Sequence, residues 1–203
     1  MARPKNQEAR RAQLITAAAK TLQERGATGV KLRDIAQEAE VTPASVLYYY
    51  PDIRALFVEV FAQGAARYCE ERERRIIAAD SAVARLRACV HSGVPWPGEA
   101  EVTSRLLFEL YPVALREEPA RRMQRTFFDR QAGLYQDILT EGAAAGDFTL
   151  AAPAPDLART FIAMEDGYAM DVLTGGTTAA EQELRLLNYA HLATGNAEVA
   201  APS

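Results

Sequence analysis

The chain has 203 residues, 49% of them hydrophobic and 25% charged, with a formal net charge of −4; that suits one large domain, or a small one fused to a larger one. No apolar run reaches the roughly 18–20 residues of a membrane span, and the basic start over residues 1–11 lacks the apolar stretch of a secretory signal. Two cysteines, Cys69 and Cys89, are too few for a disulfide framework or a four-ligand zinc site, so a reducing cytoplasm is the expected compartment and no metal or cofactor is expected.

Charge is unevenly spread. Residues 1–50 carry eight Lys or Arg against five acids, a balance of +3, while the other 153 residues carry 15 against 22, a balance of −7. Thirty-nine alanines and long stretches of helical periodicity predict an all-α chain of about nine helices. In chain order, the first helix is expected from about Asn6 to Arg25, with Leu14, Ile15, Ala18 and Leu22 as its apolar stripe and Gly26 ending it. A short helix follows over 32–39. A third begins where Thr42 caps and Pro43 takes the first helical position, and it is brief because Pro51 disfavours helical geometry at Tyr50. Asp52 caps a long helix to about Asp80, whose stripe reads Leu56, Val60, Gly64, Tyr68 and then Ile76. Beyond it lie a helix at 81–91, a loop at 92–98, and helices near 99–117 (kinked or split by Pro112), 119–145, 155–174 and 178–194. The tail from Gly195 is small and polar, and is expected to fray.

Residues 31–50 place two short helices around a tight turn at Glu40-Val41, with Ile35, Ala39, Val41, Val46 and Tyr50 available to a shared small core and Ala36 permitting a close crossing. That is the geometry of a helix-turn-helix, whose second helix enters the DNA major groove. Thr42, Pro43, Ala44 and Ser45 would offer hydroxyls and small apolar groups to base edges, Tyr48 and Tyr49 phenolic hydroxyls to phosphates, and Lys31 and Arg33 positive charge. Composition and period alone equally describe two short helices of a generic bundle with partly buried tyrosines.

Residues 26–56, GATGVKLRDIAQEAEVTPASVLYYYPDIRAL, resemble the N-terminal DNA-binding region of TetR-family transcriptional regulators. The resemblance covers about residues 8–60. It rests on Arg33-Asp34-Ile35-Ala36, the Val41-Thr42 turn, the aromatic run Tyr48-Tyr49-Tyr50 and the Leu56 that opens the long helix. It implies a homodimer, usually a repressor, that binds an inverted-repeat operator in double-stranded DNA and releases it when a small molecule enters the C-terminal domain. An activator is the alternative. The domains implied are a DNA-binding domain over 1–51 with a flexible arm at 1–7, a ligand-binding and dimerisation domain over 52–195, and a flexible tail at 196–203. Departures from the family pattern include Glu40 where glycine is usual, Lys31 for a common threonine, Leu47 for a frequent tyrosine, Tyr49 for histidine, and Ile53 for a lysine that contacts phosphate. Arg54 is the neighbouring candidate for that contact. The arm cations Arg3, Lys5, Arg10 and Arg11 either reach phosphates or form a solvated start.

After residue 60 the resemblance fades. Candidate pocket residues are the aromatic and polar side chains on apolar stripes: Tyr68, Trp96, Phe108, Tyr111, Phe127, Phe128, Gln131, Tyr135, Glu165 and Tyr168. Glu165 shares a helical face with Phe161, Tyr168 and Val172, where a carboxylate is costly to desolvate unless paired. Three readings stand open for it: a pocket for a cationic or amine-bearing inducer, an ion pair with an arginine such as Arg130, or a place in a dimer interface. By the family's architecture the 155–174 helix, through Phe161, Ile162 and Val172, and the 178–194 helix, through Leu184, Leu187 and Tyr189, would build a four-helix homodimer interface. The expected partners are therefore operator DNA, a small-molecule inducer and a second copy of the chain, with no membrane. Catalysis is not expected. His91 and His191 have no nucleophile or metal motif around them, Cys89-x-His91 is too sparse for zinc, and Gly175-Gly176 reads as a helix stop. A helical module that binds only other proteins is the remaining alternative.

Overall fold

A computed structural model describes residues 3–201, with side chains from residue 7 onward. Among the described residues there are ten α-helices, one short 3₁₀ helix and no strand. They are α1 (Arg3–Gly29), α2 (Leu32–Glu38), α3 (Pro43–Tyr49), α4 (Ile53–Ile77), α5 (Ala82–Ser92), α6 (Glu99–Glu109), α7 (Tyr111–Ala114), α8 (Glu118–Ala145), α9 (Ala154–Thr174) and α10 (Ala179–Thr194), followed by the 3₁₀ turn Ala197–Ala200. The expected 99–117 helix is split into α6 and α7, with Pro112 in the first turn of α7, where its missing N–H costs nothing. Among the described residues no helix is long and apolar enough to cross a membrane.

The chain divides into two compact units: Met1–Ala66 with Arg105–Gln124, and Arg67–Ser104 with Arg125–Ser203. The division falls inside α4, α6 and α8. In the first unit α1 packs on α2 and α2 on α3. Its buried residues include the whole expected stripe of α1 (Leu14, Ile15, Ala18, Leu22), then Ile35, Ala36 and Ala39, Val46 and Tyr50, and Leu56 and Val60 of α4. In the second unit α10 packs on α9 and α5, and both α10 and α5 on the 3₁₀ turn. Its core gathers Leu86, Cys89, Val90, Tyr135, Leu139, Phe161, Leu186, Ala190 and Val199.

One local expectation holds and two are corrected. Gly26 ends the first helical run as expected: its backbone, at φ 66°, ψ 161°, is non-helical, and a further turn follows across the kink to Gly29. The N–H freed at Ala27 donates to Glu109 Oε2 at 2.8 Å, so a carboxylate from α6 replaces the lost intrahelical acceptor. The arm expected over 1–7 is helical from Arg3; residues 1 and 2, and the side chains of Arg3 and Lys5, lie outside what is described. The tail does not fray through residue 201. Asn196 Oδ1 caps the 3₁₀ turn by accepting from Glu198 N–H at 2.9 Å, Val199 is fully buried, and Arg87 Nη1 donates to the carbonyls of Val199 (2.9 Å) and Ala201 (2.6 Å). Composition marked this segment as polar, but one apolar side chain and one arginine fasten it. Residues 202–203 lie outside the described residues.

Candidate DNA-binding face and effector core

The α2–turn–α3 segment is built by local rules. Asp34 Oδ2 accepts from the Lys31 N–H at 2.9 Å at the head of α2, and Thr42 Oγ1 accepts from Ser45 N–H at 3.2 Å at the head of α3, where Pro43 fits the first turn. Glu40 takes φ 51°, the left-handed geometry a turn needs and glycine would supply without cost. The Val41 N–H donates back to the Ala36 carbonyl at 2.9 Å and closes the turn.

This geometry aims the three tyrosines differently. Tyr50 is buried, and its hydroxyl donates to Glu59 Oε2 at 2.5 Å beneath the guanidinium of Arg11, 5.1 Å from the ring centre. Burial first, and the Glu59 carboxylate second, push the Tyr50 phenol well above its ordinary range. Tyr50 therefore anchors the hairpin to α1 and α4. Tyr48 is 73% exposed and meets half-buried Tyr49 edge to face at 5.1 Å. Lys31, Arg33, Thr42, Pro43, Ala44 and Arg54 are exposed and Ser45 half-buried, so no candidate contact residue is spent on the core. Arg54 is engaged, however: its Nη1 lies 2.8 Å from Glu117 Oε1, and a phosphate contact would have to displace that carboxylate. Arg10 and Arg11 likewise sit on α1, donating to Gln13 and Glu59.

The second unit holds a buried polar cluster centred on a residue outside the expected set, Arg72 of α4. The side chains of Arg72 and Glu165 are 1% and 3% exposed. Arg72 Nη1 donates to Gln131 Oε1 (2.7 Å) and Glu165 Oε2 (2.9 Å); Nη2 donates to Glu165 Oε1 and the Cys89 carbonyl (both 3.0 Å) and approaches Cys89 Sγ at 3.3 Å. The rings of Tyr68 and Tyr135 lie 5.6 and 5.4 Å from the guanidinium carbon. Tyr135 also donates its hydroxyl to Glu165 Oε1 at 2.5 Å and stacks on Phe161 at 4.4 Å. Burial alone would favour losing the Arg72 proton, but the facing Glu165 charge, together with Cys89, Tyr68 and Tyr135, outweighs it and holds the guanidinium more firmly protonated than usual. Burial, reinforced by the Glu165 charge, raises the Tyr135 phenol. Burial also pushes the Cys89 thiol up to about 11, against the opposing pull of Arg72. Arg72 Nε and Gln182 Oε1 are buried with no hydrogen-bond partner.

Of the expected pocket residues, Tyr68, Gln131, Tyr135 and Glu165 converge here, with Phe127 edge-on to Tyr68 at 5.7 Å. Phe128 packs against the core of this unit and stacks on Phe127 at 6.2 Å. Trp96 instead stacks on His91 (5.1 Å) and donates Nε1–H to the His91 carbonyl. Tyr168 lies under Arg185, 5.3 Å from its guanidinium carbon, on an open groove along α9 lined also by Met164, Met170 and Asp171. Phe108 and Tyr111 belong to the first unit and stack on each other at 5.2 Å. The alternative partner named for Glu165, Arg130, is corrected. Arg130 holds Glu73 through Nε and Nη2 at 2.8 and 2.9 Å, and Glu165 is too deeply buried to belong to a dimer surface. Phe161 and Ile162 are likewise buried within the protomer, which leaves Met170, Leu184 and Leu192 as the exposed large apolar residues of α9 and α10.

Arg72 was legible in principle. The α4 stripe runs in steps of four, 56–60–64–68–76, and the skipped step is 72. A cation on one apolar stripe and a carboxylate on another predict each other, because neither can be buried alone.

Residues 14–60 match the family model for bacterial regulatory proteins of the tetR family, and residues 82–195 match the BetI-type transcriptional repressor C-terminal model. The chain is 30% identical over 120 residues to the HTH-type transcriptional regulator BetI of Burkholderia mallei; the match covers 58% of this chain and 61% of that protein's length. To BetI of Burkholderia thailandensis it is 29% identical over 140 residues, 68% of this chain and 70% of the relative. The fold matches a crystal structure of a transcriptional regulator from Saccharomonospora viridis in complex with choline at a TM-score of 0.83 and 22% identity, covering 91% of this chain and 96% of that one.

Proposed function

We propose that this chain, which belongs to the TetR family of bacterial regulatory proteins, is a ligand-responsive transcriptional regulator: a homodimeric repressor that reads an inverted-repeat operator with α3 and lets go when a small molecule binds its second unit. The observation that carries this reading is the capped α2–α3 hairpin, which buries Val46 and Tyr50 while turning Thr42, Pro43, Ala44, Tyr48 and part of Tyr49 outward, inside the segment that matches the tetR model. Base edges are read by the exposed first turn, and phosphates are held by Tyr48, Tyr49, Lys31, Arg33 and, after release from Glu117, Arg54. Residues 1–51 form the reader, and 52–195 the sensing and dimerising part.

The effector is a cationic or amine-bearing small molecule recognised among Tyr68, Phe127, Gln131, Tyr135 and Glu165. A set of carboxylate, amide oxygen and π faces supports a cation, as does the choline held by the Saccharomonospora viridis regulator. Dimerisation uses α9 and α10 through Met170, Leu184 and Leu192.

Fluorescence anisotropy with labelled DNA from upstream of the chain's own locus tests the regulator reading. The wild type binds, and Tyr49→Ala loses binding while keeping its helical circular dichroism and its sedimentation coefficient. Undiminished binding by the variant would remove Tyr49 from the interface; no binding of the wild type to that DNA would overturn the function.

A further inference from the structure

Every group that faces the Arg72 guanidinium is an acceptor or a π face: two carboxylate oxygens of Glu165, the amide oxygen of Gln131, the carbonyl and the sulfur of Cys89, and the rings of Tyr68 and Tyr135. Chemically this is a complete binding site for a cation, and its occupant is a side chain of the same molecule. The wall behind the carboxylate is built for the purpose. A Cβ on Gly93 would lie 2.0 Å from Glu165 Oε1, so only a glycine there lets Glu165 turn its carboxylate onto the cage. The occupant fits less well than the walls do, since the Arg72 Nε–H is buried without an acceptor.

We propose that Arg72 is a tethered placeholder in the effector site, and that binding is an exchange in which a compact quaternary ammonium takes the place of the guanidinium between Glu165, Tyr68 and Tyr135. The proposal rests on the reading that the second unit binds a cationic effector, and it adds the competitor. Charge sets the selectivity. A neutral molecule that expelled Arg72 would leave Glu165 buried and unpaired, and an anion would meet the Glu165 carboxylate directly. A cation keeps the cluster neutral. One without N–H groups also leaves no donor stranded, unlike Arg72 Nε, while both tyrosine faces continue to attract it.

Calorimetric titration of the full chain with tetramethylammonium chloride, with tert-butanol as a neutral probe of similar shape, tests the exchange. A placeholder lowers the apparent affinity by the fraction of time it occupies the site. Arg72→Met should therefore bind tetramethylammonium at least about tenfold more tightly than the wild type, and Arg72→Lys, a charged but weaker competitor, should fall between them. Adding Glu165→Gln to R72M should abolish the gain, and tert-butanol should show none. If R72K, and R72M where it folds, bind tetramethylammonium no better than the wild type, the placeholder is wrong; so it is if tert-butanol gains equally. Operator binding by the wild type is measured on the same preparation. Failure there overturns the regulator and leaves the exchange to its own titration, whereas unchanged ammonium affinity overturns the exchange and leaves the regulator standing.

Discussion

Arg72 and Glu165 face each other with both side chains almost wholly out of water, and such a pair costs desolvation that its mutual attraction only partly returns. Removing one member strands the other, so Arg72→Ala should cost about 3–5 kcal/mol in urea unfolding, whereas replacing both members together by Met and Leu should recover most of that loss. Tyr135→Phe deletes the donor to Glu165 Oε1 but leaves the stacking on Phe161, and should cost about 1–3 kcal/mol; a change below about 0.5 kcal/mol would mean that Arg72 alone satisfies the carboxylate. Cys89 and Cys69 are buried with thiols pushed up by burial, Cys89 to about 11, so thiolate is scarce near neutral pH. Both should resist a thiol reagent at pH 7.5 until the chain is unfolded, as a stopped absorbance assay would show.

Elements are where local grammar was most readable. The Thr42 cap, Pro43 in the first turn and the Pro51 stop set α3 to within a residue, because each acts through its own backbone neighbours. Glu40 is the strained exception, in left-handed geometry that disfavours a side chain by roughly 1–2 kcal/mol. Glycine costs more unfolded-chain entropy than it relieves at ordinary positions, but here Glu40→Gly should be stabilising, by up to about 1 kcal/mol, as a raised midpoint of thermal unfolding. The carboxylate that meets the Gly26 break and the packed tail were invisible to the same grammar. Glu109 reaches Ala27 from 82 residues away, and Arg87 holds carbonyls more than 110 residues on. Deleting residues 197–203 should expose the pocket that Val199 fills and cost about 1.5–3 kcal/mol, the usual worth of one buried aliphatic side chain.

At the scale of the whole molecule, a net charge of −4 does not argue against a polyanionic partner, because counterion release depends on the charge at the docking face. A reader balanced at +3, doubled in the proposed dimer, should make operator affinity fall steeply with salt, by about a thousandfold or more between 50 and 200 mM if six or more phosphates are held. Measured slopes near zero would remove the phosphate contacts proposed for Lys31, Arg33 and the tyrosines. Leu184 and Leu192 are more than half exposed on α10, and if the proposed dimer forms there, Leu184→Glu should convert it to monomer in sedimentation without changing helicity. An unchanged dimer would place the interface elsewhere.

By itself the sequence determined an all-α chain, the run of its helices, the helix-turn-helix and the resemblance that named its family, because helix periods, caps and turn residues are short-range signals carried by neighbours along the chain. It also marked Glu165 as an anomaly on an apolar stripe. Only the tertiary structure decided which cation answers that carboxylate, that four of the nominated pocket residues meet around it while Trp96, Phe108, Tyr111 and Tyr168 go elsewhere, and that Phe161 and Ile162 face inward. Those are questions of which stripe packs against which. Periodicity gives each helix an apolar face but leaves its neighbour unspecified, and the cost of burying a lone charge says only that a partner must exist.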